Sequence, residues 1–344
     1  MRDNLNWNPP ADWLNITTID AHTAGEPLRV VASGFPDLPG ETILEKRRYA
    51  RENYDHLRTA LMWEPRGHAD MYGCIPTKPV TPDGDLGVLF LHNAGFSTMC
   101  GHGIIGLVKV ALDTGMLSLE GEFPVIKMDT PAGRVTATAR RQDGQVVEVS
   151  FQNVPSFVLA SDQIVEVPGL GSIKYDVAFG GAFYAFCSAD EVGVSLTSDD
   201  YRHLIDIGVR IKKVVIESLA IEHPFEKDLS FLYGTIFVGD ALDSKHHSRN
   251  VCVFADGEVD RCPTGTGVSA RAAIHYSRKE LRINEPFVIE SIIGTCFTGE
   301  VIKPTKFGQF DAVIPKVTGS AYICGRNELL SDPKDPLRDG FILR

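Results

Sequence analysis

The chain has 344 residues, 43% hydrophobic and 23% charged, a length and balance that suit a soluble protein with two cores of ordinary size. Its formal net charge of −11, with no long lysine- or arginine-rich block, argues against nucleic acid and anionic membrane surfaces as partners, because a polyanion would be repelled. Seven cysteines (Cys74, Cys100, Cys187, Cys252, Cys262, Cys296, Cys324), odd in number and without a C-x-x-C pair, read as reduced thiols, mostly small core residues, rather than as a disulfide framework or a structural zinc site.

The N-terminal arm, Met1 to Asn15, mixes charges, prolines and two tryptophans and contains neither a signal peptide nor a membrane anchor, so the expectation is a cytoplasmic protein. A first strand over Ile16 to His22 is broken at Ala24-Gly25-Glu26-Pro27 before a second over Leu28 to Val31. From Gly40 to Met62, charged residues with spaced Leu, Tyr and Ala predict a solvated amphipathic helix, with Lys46-Arg47-Arg48 on its water-facing side. Glu64 to Met71 reads as a loop in which Arg66 and His68 are candidates for touching a ligand, with hydrogen bonds within the loop the expected role, and Leu86 to His92 as a strand.

The next stretch is the one the first half is arranged around. Met99-Cys100-Gly101-His102-Gly103 runs directly into the helix-length apolar segment Ile104 to Leu112, apolar on nearly every face and so expected to be buried, with Gly115 as its C-terminal cap. A cysteine at a helix start meets free backbone N–H groups and the positive end of the dipole, an arrangement expected to make the thiol ionise more easily, and the glycines let a small anion approach the amides. Strands follow over Val125 to Met128, Val135 to Ala139 and Val146 to Phe151, and a domain crossing is placed around Gln152 to Pro155.

The second half continues with strands near Val158, Ile164 to Val167 and Val177 to Phe179, then Gly180-Gly181-Ala182-Phe183-Tyr184-Ala185, whose paired glycines imply a close backbone approach. A second amphipathic helix is predicted from Ser198 to Arg210, strands over Val214 to Glu217, Thr235 to Gly239 and Asn250 to Phe254, and a solvated pair at His246-His247. Thr264-Gly265-Thr266-Gly267 then repeats the X-Gly-X-Gly entry into a helix of small and apolar residues, with Thr264 where the first copy has Cys100. The last strands are read near Phe287 to Glu290, Thr298 to Lys303 and Ala312 to Val317. Two such helix starts, one per half, can hold a carboxylate between them, with Cys100 and Thr264 on opposite sides of the bound molecule.

Six motifs in order resemble the proline racemase family, which shares the fold of diaminopimelate epimerase: Asp20 to Pro27, Glu64 to His68, Met99 to Gly103, Asp129 to Gly133, Gly180 to Ala185, and Asp260 to Gly267. The resemblance implies an α+β fold of two similar domains, each with strands wrapped around a central helix and with the active site in the cleft between them. The first domain would comprise residues 1–152 plus 320–344 and carry Cys100; the second would comprise 153–319 and carry Thr264. It further implies a homodimer that uses neither pyridoxal phosphate nor metal, binds a cyclic amino acid, and pairs the ring ammonium with Asp260.

Racemases and epimerases of the family have Ser-Pro-Cys in the last motif, where this chain has Cys262-Pro263-Thr264. Threonine in the slot of the second catalytic cysteine resembles the family's trans-3-hydroxy-L-proline dehydratases. A threonine hydroxyl cannot act as a free base near neutral pH, whereas a cysteine can take and give a proton, so inversion at the α-carbon should fail while elimination needs only Cys100. The expected chemistry is removal of the α-proton by the Cys100 thiolate and return of that proton to the departing 3-hydroxyl on the same ring face, giving pyrroline-2-carboxylate. The amides of Gly101, His102, Gly265 and Thr266 would hold the carboxylate. Alternatives remain at this point: Thr264 as a mere helix cap, Cys262 as a displaced second base in an epimerase or racemase, His102 as the general base, and an amino-acid-binding protein without catalysis.

Overall fold

A computed structural model describes residues 7–343, so that part of the N-terminal reading, over residues 1–6, lies outside the described residues. The chain opens with β1 (Leu14–Thr23) and β2 (Glu26–Ser33), then α1 (Ile43–Asn53), α2 (Asp55–Met62), β3 (Tyr72–Thr77), β4 (Leu86–His92), β5 (Gly95–Phe96) and α3 (Gly101–Asp113). It continues with β6 (Val125–Thr130), β7 (Gly133–Gln142), β8 (Gln145–Gln152), β9 (Ser156–Val167), β10 (Gly171–Phe179), β11 (Phe183–Ser188), the single turn α4 (Ala189–Val192) and α5 (Tyr201–Ser218). The remainder is β12 (Leu232–Gly239), β13 (Ser248–Phe254), β14 (Glu258–Val259), α6 (Gly265–Ser277), β15 (Phe287–Glu290), β16 (Cys296–Phe307), β17 (Phe310–Gly319) and β18 (Ala321–Ser331).

The architecture is α+β, with predominantly antiparallel strands joined into one hydrogen-bonded network. Strands wrap two central helices. α3 packs against β1, β2, β7, β8 and β18, and α6 against β9, β10, β16 and β17. Each helix is therefore enclosed on most sides, which is why α3 carries no polar face: every residue from Gly101 to Val108 is buried, His102 included. β17 pairs with both β8 and β9 and so couples the two sets of strands. Among the described residues no helix is long and apolar enough to cross a membrane.

Several expectations from sequence need correction. The segment from Gly40 to Met62 is two helices, the first opened by a capping box in which Thr42 and Glu45 bond each other's backbone amides. Lys46 and Arg47 are buried rather than water-facing; Arg47 donates from Nε and a terminal nitrogen to the Phe96 carbonyl at 3.1 and 2.6 Å. The run Val214 to Glu217, expected as a strand, is the last turn of α5, because Leu204, Ile207, Gly208, Ile211 and Val215 share one buried face at helical spacing. β18, not anticipated, returns to pair along the whole length of β1. His246 is not simply solvated: its Nδ1 lies 2.9 Å from Glu290 Oε1. Of the cysteines read as core residues, Cys324 is exposed and Cys296 half-buried.

Candidate active site

The two X-Gly-X-Gly segments meet. A Cβ placed on Gly101 would stand 2.6 Å from the Gly265 Cα, and one on Gly265 would stand 2.8 Å from the Gly101 Cα, so the two helix starts touch backbone to backbone. Only glycine permits that approach. Around this contact lies a small pocket lined by Cys100, Gly101, His102, Asp260, Thr264, Gly265 and Thr266, together with Tyr72, Met99, Tyr184, Tyr233, Cys252 and Phe254. All seven of the site residues chosen from sequence thus converge on one place. Arg66 and His68 do not: Arg66 donates to the Ala60 carbonyl at 2.7 Å, and His68 Nδ1 lies 2.7 Å from the Ala69 carbonyl.

The paired glycines before β11 complete the wall. Gly180 packs against the Thr266 carbonyl, where a Cβ would come within 2.1 Å, and Gly181 packs against the Met99 side chain. Asn153 and Thr98 donate to their carbonyls, each at 2.7 Å.

Cys100 is the N-cap of α3, and its Sγ accepts from the Gly103 amide at 3.2 Å. The expectation of an easily ionised thiol does not hold as stated. Burial pushes the Cys100 thiol well above its ordinary value, and the nearby charges of Asp260 and Glu26 add to the rise; the Gly103 amide and the Tyr72 hydroxyl oppose it without cancelling it. The helix start is present, but desolvation is the larger effect. His102 Nδ1 lies 3.2 Å from Sγ, and the ring packs edge-on against Tyr72 with centroids 4.7 Å apart. Burial holds this imidazole down at about 4, so it is neutral at physiological pH, and the Pro27 carbonyl accepts from the ring.

Thr264 precedes α6 with φ 65 and ψ 91, a backbone conformation that a β-branched residue seldom adopts. Unlike Cys100, its side chain makes no cap hydrogen bond, so the simple-cap reading fails. The buried Oγ1 has no conventional hydrogen-bond partner and faces the Cys252 thiol. What fixes this turn lies on either side of it: the Val268 amide donates to the Thr264 carbonyl at 2.8 Å, the Thr264 amide to Cys262 Sγ at 3.3 Å, and Asn250 Nδ2 to the Pro263 carbonyl at 3.1 Å. Asn250 in turn accepts from the buried Arg271 at 3.1 Å.

Asp260 is buried, with Oδ1 accepting from the Cys262 amide at 2.8 Å. Glu26 is fully buried; Oε2 accepts from the Arg261 amide at 2.7 Å while Oε1 has no partner, and burial followed by Asp260 raises its carboxyl well above the usual range. The Tyr184 hydroxyl lies 2.7 Å from the Thr266 hydroxyl.

Of the lining residues missed from sequence, two had a signal of their own. Cys252 and Phe254 stand two apart on β13, hence on one face of a strand onto which β14 folds back, so that the Asp260 amide donates to the Cys252 carbonyl at 3.0 Å. Tyr72 and Tyr233 come together with Ser97 beside Cys100, and nothing in the local sequence of either strand marks them as site residues. Chemically the site brings together a thiol, an alcohol, a buried carboxylate and the starts of two helices, whose first amides are anion donors.

A family profile described as proline racemase matches residues 18–342. The chain is 48% identical to a trans-3-hydroxy-L-proline dehydratase of Colwellia psychrerythraea, over 98% of this chain and 96% of that one. It is 40% identical to a proline racemase of Clostridioides difficile, over 96% and 98%. The crystal structure of a hydroxyproline epimerase from Agrobacterium vitis with bound trans-4-hydroxy-L-proline superposes with a TM-score of 0.92 at 28% identity, covering 97% of this chain and 96% of that one.

Proposed function

The chain belongs to the proline racemase family, and on that premise we propose that it is a hydro-lyase that dehydrates trans-3-hydroxy-L-proline through a single acid–base residue, Cys100. The observation that carries this reading is the difference between the two helix starts that meet at the pocket: one begins at a thiol, Cys100, and the other at an alcohol, Thr264, in the slot of the second catalytic cysteine. The relative that is 48% identical is named as a dehydratase of this substrate, and the one named as a racemase is 40% identical. We also read the fold as two like halves, 1–152 with 320–344 and 153–319, a division supported by the separate wrapping of α3 and α6.

In the substrate the α-hydrogen and the 3-hydroxyl lie on one ring face. The ring ammonium pairs with Asp260 and brings a positive charge next to Sγ, which favours the thiolate that burial otherwise opposes. The thiolate takes the α-proton; the electron pair of the broken C–H bond forms the C2–C3 double bond as the C3–O bond breaks. The thiol then protonates the departing oxygen, releasing water and an enamine that tautomerises to pyrroline-2-carboxylate. Charge that develops toward the carboxylate is met by the amides of Gly101, His102, Gly265 and Thr266.

Incubation with trans-3-hydroxy-L-proline, 4-hydroxyproline and proline tests the reading. The expected result is imine from the first and no inversion of the other two. Efficient epimerisation of 4-hydroxyproline would overturn the role given to Thr264, and binding without product would leave only an amino-acid-binding protein. Cys100→Ser is expected to lower turnover by about 10²–10⁴-fold or more, the usual contribution of a positioned acid–base group.

A further inference from the structure

Cys262, at the family's serine position, takes no part in the elimination described above. It is fully buried, and its sulfur, one ring nitrogen of His102 and one carboxylate oxygen of Asp260 all lie within 4.8 Å of one another. Cys100 Sγ, 3.2 Å from His102 Nδ1, lies beside this cluster without belonging to it. Thiolate, imidazole and carboxylate are the ligand set of zinc and its soft neighbours, not of magnesium or calcium, which require oxygen. Metal–sulfur bonds near 2.3 Å and metal–nitrogen bonds near 2.0 Å in a tetrahedron put ligand atoms roughly 3.3–3.8 Å apart, so closing this cluster takes about 1 Å of side-chain rotation.

The surroundings of each donor have the form that orients metal ligands. The Pro27 carbonyl accepts from the His102 ring, Asp260 Oδ1 accepts from the Cys262 amide, and Cys262 Sγ accepts from the Thr264 amide. The buried Glu26 carboxyl nearby adds no positive charge that would repel a cation.

We propose that Cys262, His102 and Asp260 form an inhibitory three-residue binding site for a thiophilic divalent cation such as Zn2+. A cation held there occupies Asp260, with which the substrate's ring ammonium must pair, so metal and substrate exclude each other.

The test has two arms. Cd2+ titrated into the intact protein is followed by its thiolate charge-transfer absorbance, and Zn2+ is then used to displace it; dehydration is assayed separately with Zn2+ and with Mg2+. The expected result is one equivalent bound, inhibition by Zn2+ that is competitive with substrate, and no effect of Mg2+. Cys262→Ser, which restores the residue found in the family's racemases, is expected to keep turnover and to weaken Zn2+ inhibition by about 100-fold or more. Equal Zn2+ sensitivity in the two proteins, or no thiolate band, overturns the proposal. Should Cys262→Ser fail to fold, Asp260→Asn, read by Cd2+ affinity alone, is expected to bind at least about 10-fold more weakly, and unchanged affinity is again fatal. The inhibition arm rests on the dehydratase reading and the spectroscopic arm does not, so a wrong substrate and an absent metal site give different results.

Discussion

At Cys100, opposing influences on one sulfur set how turnover depends on pH. Burial and the charges of Asp260 and Glu26 favour the thiol, while the Gly103 amide and the Tyr72 hydroxyl favour the thiolate. The group that must be deprotonated in the free enzyme is therefore an acid raised above its ordinary value, and kcat/KM is expected to climb with pH through the alkaline range. Tyr72→Phe removes a donor that favours the thiolate and should displace that ascending limb to higher pH; a pH–rate profile with an unmoved limb would show that the hydroxyl does not act on the sulfur. Thr264 carries a different signature. Its positive φ costs about 1–3 kcal/mol in a non-glycine residue. Both Thr264→Gly and Thr264→Ala remove the hydroxyl, but only glycine releases the strain. The glycine variant is thus expected to be the more stable of the two by about 1 kcal/mol in urea denaturation, the reverse of the usual order. Stability favouring alanine would mean the turn is not strained. The importance of positions 100 and 264 was legible in sequence because glycines flank both, whereas the strain at Thr264 was not: φ is imposed by Pro263, Asn250 and the start of α6, which lie together only in the folded chain.

The two central helices were the most legible elements, since an apolar segment without a polar face has nowhere to go but the interior. That their starts face each other was inferred; that they touch backbone to backbone was not, and this contact makes a sharp prediction. Gly101→Ala places a methyl carbon 2.6 Å from backbone that cannot move without shifting α6, so a loss of about 1–3 kcal/mol in stability is expected, together with impaired turnover. Thermal denaturation with the wild-type midpoint would show the contact to be looser than described. Elements went unread where side chains serve two purposes. α5 ends in Val214-Val215-Ile216, a run that favours strands locally but continues the buried helical face through Val215. β11, Phe183 to Ser188, was taken only as a close approach after paired glycines, because its buried residues do not alternate with polar ones when both faces are covered. Arg47 shows the converse: a charged run reads as surface, yet its guanidinium is satisfied by a carbonyl inside.

Across the whole molecule, charged groups link the two halves of the chain. Arg261 pairs with Asp70 at 3.0 Å, Tyr201 donates to Asp70 at 2.7 Å, and Glu26 accepts from the Arg261 amide. None of these long-range pairs is visible in sequence, as nothing local distinguishes them from surface charges. Acid should dismantle the fold in a defined window. Burial holds His102, His223 and His275 at about 4, below the ordinary 6.5. Because the unfolded chain binds those protons first, their contribution is complete above pH 6.5 and is lost as pH falls toward 4. Glu290 follows: although burial raises its carboxyl, the Asp243 and Leu242 amides with His246 and Arg249 outweigh it and hold it at about 2, so its share is lost between pH 4.5 and 2. Urea midpoints at pH 7, 5 and 3 are expected to fall at each step, and a flat response from 7 to 5 would contradict the buried neutral histidines. The backbone contact of Gly101 with Gly265 has one more consequence. Each helix start presents roughly half a positive charge, and here two like poles are pressed together. A bound carboxylate is then the keystone of the arch as well as its cargo: the melting temperature should climb with the concentration of any small carboxylate that enters, while the matching neutral amide leaves it where it was.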